Sequence, residues 1–183
     1  MNTWANAVIT TKGLSLLSKL VAGNTLTITK AVTGSGTVAV GTLQNQTAVS
    51  DIKQTLTFSE VTYPSDGKCA LTCSLSNDSL TTGYTANQVG IYATDPDEGE
   101  ILFFIAQATT GTVIPSKTEM PGYSAEWTFY FQYGQADSVS VTVDPAAAVT
   151  QAKMEAYIAS TIQTATNAEI DAAYNAALAA FSS

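Results

Sequence analysis

Between Leu26 and Val143 apolar and polar residues repeatedly alternate or gather into short apolar runs. TLTITKAV, TLTFSEVTY, KCALTCSLS, QVGIYAT, EILFFIAQA, SAEWTFYFQY and DSVSVTVD are such segments, parted by turn-forming clusters such as TGSG, PSDGK and SNDS. Period-two alternation bounded by Gly, Pro, Asn, Asp and Ser predicts strands. In SAEWTFYFQY, Trp127, Phe129, Phe131 and Tyr133 share one face, and Thr128, Tyr130 and Gln132 the other. That is the signature of a half-buried antiparallel strand. ILFFIA does not alternate, which predicts cover on both faces, in a central strand or at a subunit contact.

Two segments follow a helical period instead. In ITTKGLSLLSKLVAG, Thr10 or Thr11 can cap a helix whose apolar stripe is Leu14, Leu17, Leu20 and Val21. Gly23 is placed to end it in the left-handed conformation. This short helix is expected to pack on the strands. At Asp144-Pro145 the chain changes character, with a capping Asp, Pro at the first helical position, and an Ala-rich run to Phe181. As one helix, residues 145 to 181 would run about 55 Å. Large apolar residues fall at Met154, Ile158, Ile162, Ile170, Tyr174, Leu178 and Phe181. Met154–Ala165 and Ile170–Phe181 each span eleven residues, a period that favours straight or slightly right-handed packing. Thr166-Asn167-Ala168-Glu169 is also a capping box, so one helix or two both fit. A narrow stripe on such a helix predicts self-association.

The expected fold is therefore mainly β: an antiparallel sandwich or barrel-like domain with a short N-terminal helix, over residues 1–143. A long Ala-rich helical segment, residues 144–183, follows for oligomerisation or connection. Few charges (12%) beside 45% apolar residues mean that Thr, Ser, Asn and Gln supply much of the polar surface. The net charge of -8 argues against nucleic acid and anionic membrane surfaces. No apolar run is long enough to span a membrane, and residues 1 to 20 lack the pattern of a signal peptide, so synthesis in the cytoplasm of the producing cell is expected.

The chain has no histidine, which removes the commonest general base and zinc ligand. Cys69 and Cys73 lie four apart on a predicted strand, roughly 13 Å from each other and beyond disulfide reach. They read as small buried residues in a protein folded under reducing conditions. The densest carboxylate run is DPDEGE, where Asp95, Asp97, Glu98 and Glu100 fall within six residues. Counted from Asp95, an EF-hand would need an oxygen ligand where Gly99 stands and Glu where Ala106 stands, so that pattern fails. Pro96 and Gly99 instead predict a tight turn with its carboxylates at an exposed tip, where Asp95 and Asp97 are dispensable. The GSG at residues 34–36 is neither a phosphate loop nor a dinucleotide fingerprint. Tyr123, Trp127, Tyr130 and Tyr133 offer an aromatic platform for a sugar, against core packing as the commoner use. No cofactor, metal site or catalytic group is expected, and the chain reads as a non-enzyme.

Three stretches resemble the tail-collar fibre domain, an N-terminal module of bacteriophage tail fibres and related baseplate proteins, including those of Gram-positive phages and prophages. They are residues 3–36, beginning TWANAVITTKGL, then YTANQVGIYATDPDEGEILFFIAQA, and the segment from IPSKTEMPGYSAEWTFYFQY to Pro145. Together they cover about residues 1 to 145. The most distinctive run is G-[IL]-Y-A-x-D-P-D-x-G-E-I-L, here Gly90 to Leu102, with Tyr92, Asp95, Pro96, Asp97 and Gly99 inside it. T-x-x-G-L (Thr10 to Leu14) and A-V-T-G-S-G (Ala31 to Gly36) support it. Many relatives carry Glu before this run, where this chain has Gln88. The resemblance implies a virion component that attaches a fibre or fibre-like connector to the tail or baseplate, usually as a homotrimer beside other tail proteins. The chain ends soon after its helix, so an anchor or connector is expected. The alternative expectation is a carbohydrate-binding module that touches a host-surface glycan at the tail tip.

Overall fold

The computed structural model describes residues 4–20, 25–65, 67–133 and 138–144. Strands β1 (Asn6–Ile9), β2 (Thr25–Gly34), β3 (Ile52–Ser65), β4 (Lys68–Ser76), β5 (Tyr84–Asp95), β6 (Gly99–Ile114) and β7 (Ser124–Gln132) form one sheet in the order β1-β6-β5-β2-β3-β4-β7. A short β8 (Ser138–Ser140) pairs in parallel with β2, and helix α1 spans Thr11–Lys19. The fold is thus mainly antiparallel β, as the alternation predicts, and of the two expected forms it is nearer the barrel-like one: a single sheet curled into a half-barrel, not a two-sheet sandwich.

Aromatic rings explain the curl. Phe103 of β6 meets Phe131 of β7 at 5.4 Å between ring centres, although β7 ends the sheet order and β6 lies one strand in from the other end. Phe104 lies 5.9 Å from both Phe129 and Phe131, and Trp4 meets Trp127 edge-on at 5.1 Å. Edge-to-face pairs such as Phe103–Phe131 and Trp4–Trp127 add to what the burial of large apolar rings contributes. The face predicted for β7 is the face that turns inward: Phe129, Phe131 and Tyr133 are buried and Tyr130 is exposed.

Every residue from Ile101 to Ala106 is buried, as the unalternating ILFFIA predicts. A register shift against β5 pairs Ile91 with Phe104 and Tyr92 with Leu102, leaving Phe103 as an extra residue. Such a bulge sets consecutive side chains on one face. Phe103 and Phe104 therefore both enter the main core, while Leu102 and Ile105 join Val32, Leu43, Val49 and Tyr92 in a second cluster. Leu43 lies in a 3-10 turn, Val40–Asn45, within the loop from β2 to β3.

Thr10 caps α1 by accepting the Gly13 N–H at 3.0 Å, and its own N–H donates to Phe103 O at 2.9 Å. The predicted apolar stripe is displaced. Gly13, Leu16 and Leu20 are buried, Leu17 is half-buried, and Leu14 stays 46% exposed because Gly13 and Leu16 are the positions turned toward β6. The helix also stops earlier than Gly23 predicts, with Leu20 already extended. Val21 and Gly23 lie outside the described residues.

β2 pairs with β3 only from Ala31 to Gly34, so the two strands part below that point. Residues 138–144 bridge the opening. Ser138–Ser140 lie on Thr25–Thr27, Tyr63 Oη donates to Val139 O at 2.8 Å, and the Asp144 N–H donates to Phe58 O at 2.9 Å. Among its described residues DSVSVTVD is therefore a strand at Ser138–Ser140, and contact with the β-domain extends to Asp144. The expected helix and its residues Met154, Ile158, Ile162, Ile170, Tyr174, Leu178 and Phe181 lie outside the described residues.

Candidate functional site

The run from Gln88 to Leu102 forms the end of β5, a hairpin turn and the start of β6. Along β5, Val89, Ile91 and Ala93 enter the main core. Gln88, Gly90 and Tyr92 alternate with them and meet the β2–β3 loop. Val49 donates its N–H to Tyr92 Oη at 3.2 Å. A Cβ on Gly90 would stand 2.3 Å from Val49 Cγ2 and 2.7 Å from Leu102 Cδ1, so the glycine gives the loop its seat. The fully buried Gln88 uses both ends of its amide. Its Oε1 accepts the Ser50 N–H at 2.9 Å, and its Nε2 donates to Gln107 Oε1 at 2.7 Å and Gln46 Oε1 at 3.0 Å. Gln107 in turn exchanges two hydrogen bonds with the Val38 backbone, at 2.8 and 2.9 Å. Buried polar groups satisfied in this way fix one arrangement of loop on sheet.

Beyond Thr94 the chain turns through Pro96–Glu98, and Gly99 has φ +77°. Side chains with a Cβ are disfavoured there, as the turn reading expects. The expectation of an exposed tip fails at Asp95, which is only 2% exposed. Its Oδ1 accepts the N–H groups of Asp97 (2.8 Å) and Glu98 (3.1 Å), and Lys19 Nζ binds both carboxylate oxygens at 2.8 and 2.9 Å. Lys19 also reaches Asp97 at 2.9 Å, Lys12 pairs with Glu98, and Lys30 pairs with Glu100. Each of the four carboxylates of the DPDEGE run meets a lysine, and these lysines are two from α1 and one from β2. Lys30 also stands over the Tyr92 ring, 4.8 Å from its centre.

Lys19 chiefly, then the backbone N–H groups of Asp97 and Glu98, hold the Asp95 carboxyl below the ordinary range against its desolvation. Lys30 and Thr29 do the same for Glu100. Lys19 itself is raised, through its bonds to Asp95 and Asp97. An acid–base pair would need two carboxyls driven apart in pKa; here both are pulled down by cations. Among the described residues no three metal-binding side chains cluster. The lysines that hold the turn were not found from sequence. Their partners lie 70 to 86 residues away, and no local spacing marks such pairs.

The aromatic platform is divided. Trp127 packs on Trp4 and Tyr133 is buried, Tyr123 packs against the core, and Tyr130 points the other way, 69% exposed. Cys69 and Cys73 are free, buried and on one strand face, and burial raises their thiols to about 11 and about 12. No helix among the described residues is long and apolar enough to cross a membrane. Comparison with protein-family models, with curated proteins and with solved structures finds no match.

Proposed function

We propose that this chain is a structural component of a bacteriophage tail, which attaches a fibre or fibre-like connector to the tail or baseplate as a homotrimer. One observation carries the reading. In the run through which the chain most resembles tail-collar fibre domains, Gly90, Tyr92, Asp95 and Gly99 seat a loop, anchor a helix or close a hairpin. These are architectural tasks, and they fit a family defined by a structural role and not by a reaction. In this reading the protein is not an enzyme, needs no cofactor, and belongs to the virion after assembly in the host cytoplasm. Residues 144–183 form the long Ala-rich helix, and Met154, Ile158, Ile162, Ile170, Tyr174, Leu178 and Phe181 supply its contacts with other copies.

Two measurements test the proposal. Light scattering on the purified chain is expected to give three times the mass of one chain, and Ile158→Asp with Ile162→Asp to give a folded monomer. Gold-labelled antibody against the chain is expected to mark tails or baseplates in electron micrographs. A stable monomer together with unlabelled particles would sink it.

A further inference from the structure

The curled sheet leaves a seam between its two end strands, and the strand directions define what would close it. Six successive antiparallel pairings connect β1 to β7, so these two edges point the same way. Direct closure would need a parallel pair in an otherwise antiparallel path. One more strand, running against both, would instead complete an eight-stranded antiparallel barrel and cover both edges that have no strand partner among the described residues.

A groove of about 580 Å³ occupies this seam. Ile9 of β1, Phe104 of β6 and Phe131 of β7 line it, with Tyr130, Gln132 and Lys68 at its rim. β7 pairs with β4 over nine residues without a register shift, from Lys68↔Gln132 to Ser76↔Ser124. Its opposite edge is therefore a regular row of backbone donors and acceptors. Ser124–Gln132 contains neither Pro nor Lys, two of the devices that keep edge strands from pairing, and Glu126 is its one charged residue. Lys68 is the one charged residue among those lining the groove, and it makes no ion pair among the described residues.

We infer that the seam between β1 and β7 is a docking site for one extended segment of another protein. The segment runs antiparallel to both edges, carries apolar residues at alternate positions facing Phe104 and Phe131, and places a carboxylate at Lys68. Main-chain hydrogen bonds to two edges supply affinity, and the apolar floor and the lysine supply register. The inference rests on strand order and groove chemistry, and it stands whether or not the tail reading holds.

The test uses the full 183-residue chain and the synthetic peptide EVTVTVE, blocked at both ends, with amide hydrogen exchange read residue by residue. The peptide is expected to slow exchange along Asn6–Ile9 and Ser124–Gln132 about tenfold or more, leaving Asp97 and Glu98 unchanged. Lys68→Glu is expected to weaken binding about fivefold, and KVTVTVK to recover it. Absence of slowing at millimolar peptide overturns the inference, as does equal affinity of wild type and Lys68→Glu. Edge amides already slow in the peptide-free monomer would mean that the chain fills its own seam. A concentration-dependent dimer dispersed by the peptide would assign the seam to a second copy. Either result also overturns it.

Discussion

Lys19 Nζ lies 2.8 Å from Asp95 Oδ1, and this pair fastens the end of α1 to the β5–β6 hairpin. Exposed ion pairs are usually worth about 0–1 kcal/mol. Asp95 differs, because it is buried and also holds the N–H groups of Asp97 and Glu98. Asp97 contacts the same lysine with a side chain that is 74% exposed. Asp95→Ala is expected to lower Tm by roughly 3–6 °C, and Asp97→Asn by about 1 °C or less. Equal effects in calorimetry would refute this division of labour.

Acid should loosen the same corner. Asp95 and Glu100 have folded pKa values below their ordinary 3.8 and 4.5, so their contribution is present above those values. It is lost as pH falls through the lowered folded values. At the alkaline end the signs reverse. Cys69 and Cys73 rise from 9.0 to about 11 and about 12, so folding retains protons that the unfolded chain gives up. Stability therefore falls above pH 9.0, and Lys19, raised above 10.5, adds to the loss at still higher pH. Urea midpoints should be nearly flat from about pH 5 to 8 and decline on both sides. In Cys69→Ala with Cys73→Ala, the alkaline decline should be shallower.

Gln88 offers a sharper test of the loop seat. Gln88→Glu keeps an acceptor for the Ser50 N–H but removes both donors and turns a carboxylate toward Gln107 Oε1. At pH 7 a loss of about 1–3 kcal/mol is expected. The loss should shrink near pH 5, where a protonated carboxyl donates again. Gly90→Ala should cost about 1–3 kcal/mol through overpacking on Val49 and Leu102, with no such pH dependence. Urea unfolding of both variants at the two pH values separates the causes.

Thiol chemistry gives a reading of the core. Cys69 and Cys73 are buried with raised pKa values, and thiolate is the reactive form. A maleimide reagent at pH 7 should label the native chain at least about 100-fold more slowly than the urea-unfolded chain. Comparable rates would mean that β4 opens readily.

Strands that alternate over several residues were legible in the sequence, because one face of a pleated ribbon meets the core and the other meets water. β7 is the clearest case. β1 was not legible: four residues, NAVI, hold too short a pattern. The bulge that turns Phe103 and Phe104 to one side is a matter of pairing with β5 and leaves no local mark. ILFFIA did announce cover on both faces, but not that residues 40–49 provide it. The turn at Pro96–Gly99 was readable from its residue types. The burial of Asp95 was not, since it depends on a helix 76 residues earlier in the chain. In the same way Leu14 looked like part of the packed stripe with Leu17 and Leu20, until the docking of Gly13 and Leu16 fixed the angle of the helix and left it outside.

The cap of α1 has a consequence for the order of events during synthesis. Thr10 donates its hydroxyl to Leu102 O, 92 residues later, and among the described residues β1 pairs only with β6. A growing chain therefore carries its first strand and helix without a sheet to rest on until most of the domain has been made. Contacts between sequence-distant segments are slow to form. Until β6 emerges, the apolar face of Leu16 and Leu20 remains open to other chains, which makes this opening segment the point where a chaperone, or premature association with a neighbour, has its longest opportunity.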